Sequence, residues 1–531
     1  GKMFSPLAIT VVIALVSSLL LSILVIPTLC LFLLKPASEK ENIFLRFAKK
    51  AYLPLLRWGL RHRLFVLFIA GALIAAAVFV TPRLGREFVP IMDEGAFDMD
   101  IQLLPGISLE KALETSVFVE KKLKEFPELE TIVSRTGQTG VAIEARGVDK
   151  TGYVGTLKPR SEWKTARSRE ELFDKMRESL SSVPGMAFAF SQPIQCRIDE
   201  LVAGTRAQLI IKLFGEDMEV LKLKANEIAN VLSSIEGTTD LIVERIAGQL
   251  YLEINIDRNK IARYGLNVDS ILNVIEIAVG GKRATMAYEE NKSFDVVVRF
   301  PEEARDSAET LGNIPVKTGQ GSSIPLAQLA SLSLVEGPFQ ISRENGERRI
   351  GIELNIRGRD IGGYVDQAKR EIEENVILPS GYFLSWGGQF ENQQRAMRRL
   401  AVIVPTVVAL ILFLLGFTFR SLKLALLVIF TLPFSLIGGV LALYISGLYL
   451  SVPASVGFIA LFGIAVLNGI VLVSYISQLH NKNTRLKDCI LEGCEVRLRP
   501  VLMTASITIL SLIPLLFVTG PGSEIQRPLA V

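Results

Sequence analysis

Histidine and cysteine are scarce in this chain. It has two histidines, His62 and His480, and four cysteines, Cys30, Cys196, Cys489 and Cys494, among 531 residues. Only Cys196 falls in the stretch that reads as globular, which excludes a disulfide framework there. Both histidines stand at the edges of apolar runs, where an interfacial polar residue is ordinary. Cys489 and Cys494 are spaced CxxxxC without other soft ligands beside them, the pattern of two plain cysteines in a loop. The sequence has no nucleophile elbow, phosphate loop, HExxH or paired CxxC, which argues against an enzyme. Charge of one sign is lacking as well: 58 Lys and Arg against 54 Asp and Glu leave a net charge of +4. No basic and aromatic run of the kind that holds nucleic acid is present.

Long apolar runs are what the chain does have. Half of its residues are hydrophobic (50%) and its mean hydropathy is +0.39, so a membrane part is balanced by a globular one. The runs Leu7 to Leu34, Leu64 to Val80, Ala401 to Phe417, Leu424 to Ile445, Val456 to Ile476 and Val501 to Val518 approach or exceed the roughly 17 to 25 residues that cross a bilayer. Between them, Arg83 to Leu400 reads as ordinary globular protein. The predicted organisation is a transmembrane helix in 1–34, a basic segment in 35–63, a second span in 64–82, a large insert in 83–400, four spans in 401–519 and a short stretch, 520–531, leading to a further helix.

Lysine and arginine set the orientation. Lys35, Lys40, Arg46, Lys49, Lys50, Arg57, Arg61 and Arg63 crowd the segment after the first span, which places it in the cytoplasm and the insert outside. Arg420 and Lys423, and then Lys482, Arg485 and Lys487, fall in links that belong inside, whereas Ser446 to Ser455 has neither residue type. Basic residues alternate with apolar ones from Phe44 to Arg63, which suits a helix lying on the inner membrane surface or a simple positive anchor. Gly1 replaces an initiator methionine, and Phe4-Ser5-Pro6-Leu7-Ala8-Ile9 is echoed by Gln526-Arg527-Pro528-Leu529-Ala530-Val531. The echo predicts that a membrane helix follows Val531 and that the chain is the middle of a longer protein of two similar halves.

The insert alternates strand-like and helix-like segments. Phe97 to Leu103, Tyr153 to Leu157, Met186 to Phe190, Gln208 to Phe214, Arg349 to Ile356 and Tyr382 to Trp386 read as strands. Ser108 to Phe126, Ser168 to Leu180, Met218 to Leu232 and Ile361 to Val376 read as helices, with Ser168-Arg169-Glu170-Glu171 as a capping box. Repeated β-α-β units of this kind predict α+β subdomains of ferredoxin-like type. A stretch from about 261 to 336, broken by Gly280-Gly281, Pro301 and Gly319 to Gly321, predicts a smaller inserted subdomain.

Two places carry candidate chemistry. Asn468 lies inside an apolar run, beside Gly469 and with Gly457 and Gly463 upstream. A carboxamide in a membrane helix either bonds across a helix interface or lines a wet path. Thr504 falls at a similar depth in the next run, and Arg497 and Arg499 precede it at the inner mouth. In the insert, Gln192 to Leu201 brings together Cys196, Asp199 and Glu200; acidic oxygens suit a hard or borderline divalent cation, while adjacent carboxylates are common on solvated surfaces.

These segments resemble the resistance-nodulation-division (RND) family, and within it the heavy-metal efflux pumps of the Czc and Cus type. The resemblance is carried by Gly457-Phe458-Ile459-Ala460-Leu461-Phe462-Gly463-Ile464-Ala465-Val466-Leu467-Asn468-Gly469, by Arg497 to Thr504, by Thr519 to Ala530, by Gln192 to Leu201 and by Asp257 to Leu266. It covers essentially the whole chain. It implies a proton-driven, homotrimeric pump of the bacterial inner membrane that works with a periplasmic adaptor and an outer-membrane channel, needs no cofactor, and moves a metal cation rather than binding nucleic acid. The spans would be the sixth to eleventh of twelve, and the insert would hold two porter subdomains and half of a docking subdomain. The proton-carrying acids of such pumps would precede Gly1, which makes Asn468, Thr504 and Arg497 relay neighbours. The three methionines of the copper and silver branch would fall near Lys150 and at Glu200 and Leu266, so the resemblance favours Zn, Co, Ni or Cd, with Glu200 and Asp199 as candidate ligands. Two other readings stay open: an exporter of organic amphiphiles, which requires an aromatic-lined cleft, and a non-transporting membrane scaffold.

Overall fold

The computed structural model describes residues 4–33, 43–137, 147–181, 183, 185–319, 321–480, 485–518, 520 and 522–531. The lysines Lys35, Lys40 and Lys482, and residues 138–146 upstream of Lys150, lie outside the described residues. The chain forms two compact units, Gly1–Leu73 with Val466–Leu510 and Ile74–Ala465 with Ser511–Val531.

Three helices come first: α1 (Phe4–Leu33), α2 (Ile43–Arg61) and α3 (Arg63–Val80). Along α2 the half-buried positions are Leu45, Ala48, Lys49, Tyr52, Leu53, Leu56, Gly59 and Leu60, an i, i+3, i+4, i+7 stripe that defines one apolar face. Lys49 on that stripe pairs with Glu495 at 3.4 Å.

The globular region is built from two modules that repeat one topology. In the first, β1 (Ala96–Gln102), α4 (Leu109–Leu123), β2 (Leu129–Thr136), β3 (Lys150–Leu157), α5 (Arg169–Leu180) and β4 (Ala187–Ser191) form an antiparallel sheet of order β2-β3-β1-β4. Period-two alternation decides which face packs: Phe97, Met99 and Ile101 of β1 are fully buried against Ala112, Val119 and Leu123 of α4 and Leu172 and Met176 of α5. Ser108 caps α4 by accepting from the Lys111 amide at 3.2 Å, and Ser168 caps α5 through the Glu171 amide at 3.1 Å. The Glu171 carboxylate accepts from the Arg167 amide, one residue before the cap, at 2.8 Å.

Helix α6 (Pro193–Ala203) leads into the second module, in which β5 (Leu209–Phe214), α7 (Met218–Ser233), β6 (Thr238–Val243), a short hairpin of β13 (Ser342–Glu344) with β14 (Glu347–Ile356), α11 (Ile361–Asn375) and β15 (Phe383–Gly388) follow in turn. The sheet order β6-β14-β5-β15 is the order of the first module, element for element. Its core, from Leu209, Ile211, Leu213, Ile350, Ile352 and Leu354, packs beneath Leu221, Ala225, Ile228, Tyr364 and Ala368.

Between β6 and β13 the chain inserts a smaller body: β7 (Ala247–Ile256), α8 (Arg258–Arg263), α9 (Val268–Ile275), β8 (Lys282–Glu289), β9 (Lys292–Val298), α10 (Ala308–Gly312), β10 (Pro315–Lys317), β11 (Ser323–Pro325) and β12 (Ala330–Pro338). Because β7 pairs with β12 from Ala247 to Pro338, the insert begins well before the 261 read from glycine and proline punctuation. Leu266 packs against this insert's own core.

The last helices are α12 (Gln389–Phe419), α13 (Leu422–Ile429), α14 (Thr431–Ile445), α15 (Val452–His480), α16 (Leu486–Phe517) and α17 (Ser523–Ala530). Among the described residues, six helical stretches are long and apolar enough to cross a membrane: Ile9–Leu33, Arg63–Arg83, Gln389–Phe419, Leu422–Ile445, Val452–His480 and Leu486–Phe517. A side chain added at Gly457 would stand 3.2 Å from the Leu529 carbonyl, so α17 approaches α15 closely there, whereas Gly463 faces open space.

Candidate functional site: an acid-lined cavity between the two modules

Strand alternation that buries one face of each sheet in its core leaves the other face polar. In β1 that second face carries Asp98, Asp100 and Gln102, and in β14 it carries Glu353 and Asn355. The two faces bound a cavity of about 380 Å³, completed by Lys150, Cys196, Glu200, Arg206 and Asp240.

Helix α6 supplies Cys196 and Glu200. It starts with Pro193 at its first turn and ends at Gly204, whose φ of +69° is the left-handed conformation that glycine adopts without strain. Four residues apart, Cys196 and Glu200 share one face and line the cavity, whereas Asp199 is turned by about 100° from its neighbour. Asp199 therefore points elsewhere. It is 5% exposed, and both its oxygens accept from the Gln389 side-chain amide, at 3.0 and 3.1 Å. Burial raises its carboxyl pKa to about 7 against the opposing pull of hydrogen bonds from Gln389 and Gln195. Asp199 thus ties α6 to the first residue of α12, and the two adjacent acids do different work.

Glu200 is held by Arg197 at 3.0 Å and by Arg206 at 3.4 Å, and Arg206 reaches Asp100 at 2.7 Å. Burial, followed by the charges of Asp98, Asp100 and Glu200, pushes the Cys196 thiol pKa up, so the thiol stays protonated. Burial also pushes the Glu353 carboxyl up, opposed by a hydrogen bond from Thr205. Among the described residues, no three His, Cys, Asp or Glu side chains stand close enough to share one metal ion.

The modules are clamped at the back of the cavity. Asp240, at φ +52°, accepts from Arg177 of α5 at 2.8 and 2.9 Å, from the Asn355 amide at 2.9 Å and from the Phe190 backbone at 3.3 Å. Arg357 and Asp174 form a second ion pair between the modules.

A second acidic pair lies beyond the end of α3. Asp360 caps α11 through the Gly363 amide at 2.8 Å and accepts from the Arg86 amide at 3.0 Å. Burial, followed by the charge of Asp360, raises the Glu87 pKa to about 7. The segment is stitched to the α14–α15 link by Leu450 N to Gly85 O at 2.8 Å and Val452 N to Phe88 O at 3.2 Å.

Of the membrane candidates, Asn468 is half-buried on α15. Thr504 donates to Pro500 of its own helix at 2.9 Å, and the Arg497 guanidinium lies 4.6 Å from the centre of the Tyr475 ring. Among the described residues, no hydrogen bond joins these three side chains to one another. Of the positions aligned with the thioether site, Lys150 and Glu200 reach the cavity and Leu266 does not.

A multi-helix protein with membrane-length apolar helices and repeated sheet-and-helix modules is the class these features define. The chain belongs to the AcrB/AcrD/AcrF family, whose sequence pattern matches residues 1–531. It is 41% identical over 539 residues to the cobalt-zinc-cadmium resistance protein CzcA of Cupriavidus metallidurans, covering 100% of this chain and 51% of that protein. It is 36% identical to the nickel and cobalt resistance protein CnrA of the same species, covering 100% of this chain and 50% of that protein. It is 31% identical to the cation efflux system protein CusA of Escherichia coli, covering 100% of this chain and 52% of that protein. A crystal structure of a heavy metal efflux pump superposes with a TM-score of 0.84 at 34% identity, over 92% of this chain and 49% of the pump. The chain thus spans about half the length of the relatives it matches.

Proposed function

We propose that this chain is part of a proton-driven exporter of divalent metal cations, of the Zn, Co, Ni or Cd class, in which the cavity between the two modules takes the ion. The modules are read as ferredoxin-like porter subdomains on the periplasmic side of the bacterial inner membrane. The whole pump is read as a homotrimer that engages a periplasmic adaptor and an outer-membrane channel. The observation that carries the reading is the cavity's lining: Asp98, Asp100, Glu200 and Glu353 supply oxygens, which suit hard and borderline cations and not Cu(I) or Ag(I). Phe190 is the one aromatic side chain among the described residues that line it, too little for an amphiphile exporter. Glu200 is the ligand candidate; Asp199 is read as the tie that passes movement of α6 to α12. Asn468, Thr504 and Arg497 are read as neighbours of the proton path. The test is metal uptake by vesicles carrying the full-length protein. Asp100→Asn with Glu200→Gln is expected to abolish Zn²⁺ and Co²⁺ uptake while leaving folding intact, and unchanged uptake would overturn the reading.

A further inference from the structure

We propose that Arg206 is a tethered counter-cation: its guanidinium occupies the acidic cavity, and a divalent substrate binds by displacing it. The inference rests on the reading of the cavity as a cation site and names the residue that sets its affinity. Arg206 follows the glycine turn that ends α6 and lies in the link between the modules. That link is pinned at Gln208, two residues beyond Arg206. The Gln208 amide donates to Asn355 at 3.1 Å, and the Gln208 side-chain oxygen accepts from the Ile356 amide at 2.9 Å. The Arg206 backbone is thereby held beside the cavity it lines, and its fork bridges Asp100 on β1 and Glu200 on α6, at 2.7 and 3.4 Å.

A guanidinium fork that spans two carboxylates keeps their oxygens farther apart than oxygens sharing one ion at about 2.0 to 2.6 Å. That spacing accounts for the lack of three convergent ligands among the described residues. Once Arg206 leaves, Asp100 and Glu200 lose one positive charge, in a space that Asp98 also lines. A monovalent ion gives back no more charge than the guanidinium it would replace, while a divalent ion gives back twice as much. Arg206 therefore sets a threshold in charge that favours divalent cations.

The experiment is Co²⁺ binding to the detergent-solubilised full-length protein, followed by titration calorimetry and by cobalt absorption, for the wild type, Arg206→Gln, Arg206→Lys and Glu200→Gln. Arg206→Gln is expected to bind Co²⁺ about tenfold more tightly, equivalent to about 1.4 kcal/mol. Loss of a merely structural ion pair would not tighten binding. Lysine is a point charge that cannot bridge both acids, so Arg206→Lys is expected to show a smaller tightening in the same direction and carries the test if Arg206→Gln does not fold. Glu200→Gln is expected to bind more weakly. Unchanged or weaker binding in the arginine variants alongside weaker binding in Glu200→Gln overturns the role of Arg206 alone. Unchanged binding in Glu200→Gln overturns the cavity reading and this inference with it.

Discussion

Replacing Glu87 with glutamine removes the titrating member of the acidic pair beyond α3. The carboxyl is partly buried, and burial together with the Asp360 charge raises its pKa from the ordinary 4.5 to about 7. The folded protein therefore holds a proton between pH 4.5 and 7 that the unfolded chain has released, so stability falls as pH rises across this window. The full shift corresponds to about 3.4 kcal/mol at 1.36 kcal/mol per pH unit. Partial solvent access trims that to about 2 kcal/mol, or roughly thirtyfold in an opening equilibrium. The strain falls on the backbone bonds joining 85–88 to 450–452. Hydrogen exchange of peptides covering 84–88 and 448–453, corrected for the intrinsic effect of pH, is expected to lose that protection between pH 5 and 8 in the wild type. Glu87→Gln is expected to keep it at both. A wild type without this loss, or a variant that retains it, would refute the reasoning.

Asp240→Ala strips four hydrogen bonds from a carboxylate whose side chain is 2% exposed and strands Arg177; a loss of about 3 to 5 kcal/mol is expected, measured as protease resistance of the modules in urea. A loss below about 1 kcal/mol would contradict the clamp. Cys196 is 2% exposed with its thiol held protonated, so maleimide at pH 8 is expected to label it only after denaturation, read by mass spectrometry of the 193–206 peptide. Asp199→Ala is expected to cut the rate of Zn²⁺ transport while leaving the binding constant close to that of the wild type, because its oxygens bond to Gln389 and not to the cavity. An equal loss of affinity to that of Glu200→Gln would assign Asp199 to the ion instead.

Much of the architecture was legible because period-two and period-3.6 patterns are local. All ten strands and helices foreseen in the modules appear within three residues of their expected ends. What pattern could not supply was pairing at a distance. Strand β7 finds its partner β12 some eighty residues on, so the insert's true start was hidden by a stretch without punctuation. Helix α6 is absent from the pattern reading, and without its helical turn Asp199 and Glu200 stand together as candidate ligands. Asp98 and Asp100 were passed over although the same alternation that buries Phe97, Met99 and Ile101 places both acids together on the opposite face. Arg206 left no local signal, since its partners Asp100 and Glu200 meet only through the fold.

The most direct test of the account is anomalous scattering from the full-length protein crystallised with Zn²⁺, recorded on both sides of the zinc absorption edge. The account predicts a peak in the cavity within ligand distance, about 2.0 to 2.2 Å, of Glu200 and at least one of Asp98 and Asp100, with Arg206 moved away. An empty cavity beside an intact Arg206 bridge, with zinc bound elsewhere in the modules, would contradict it.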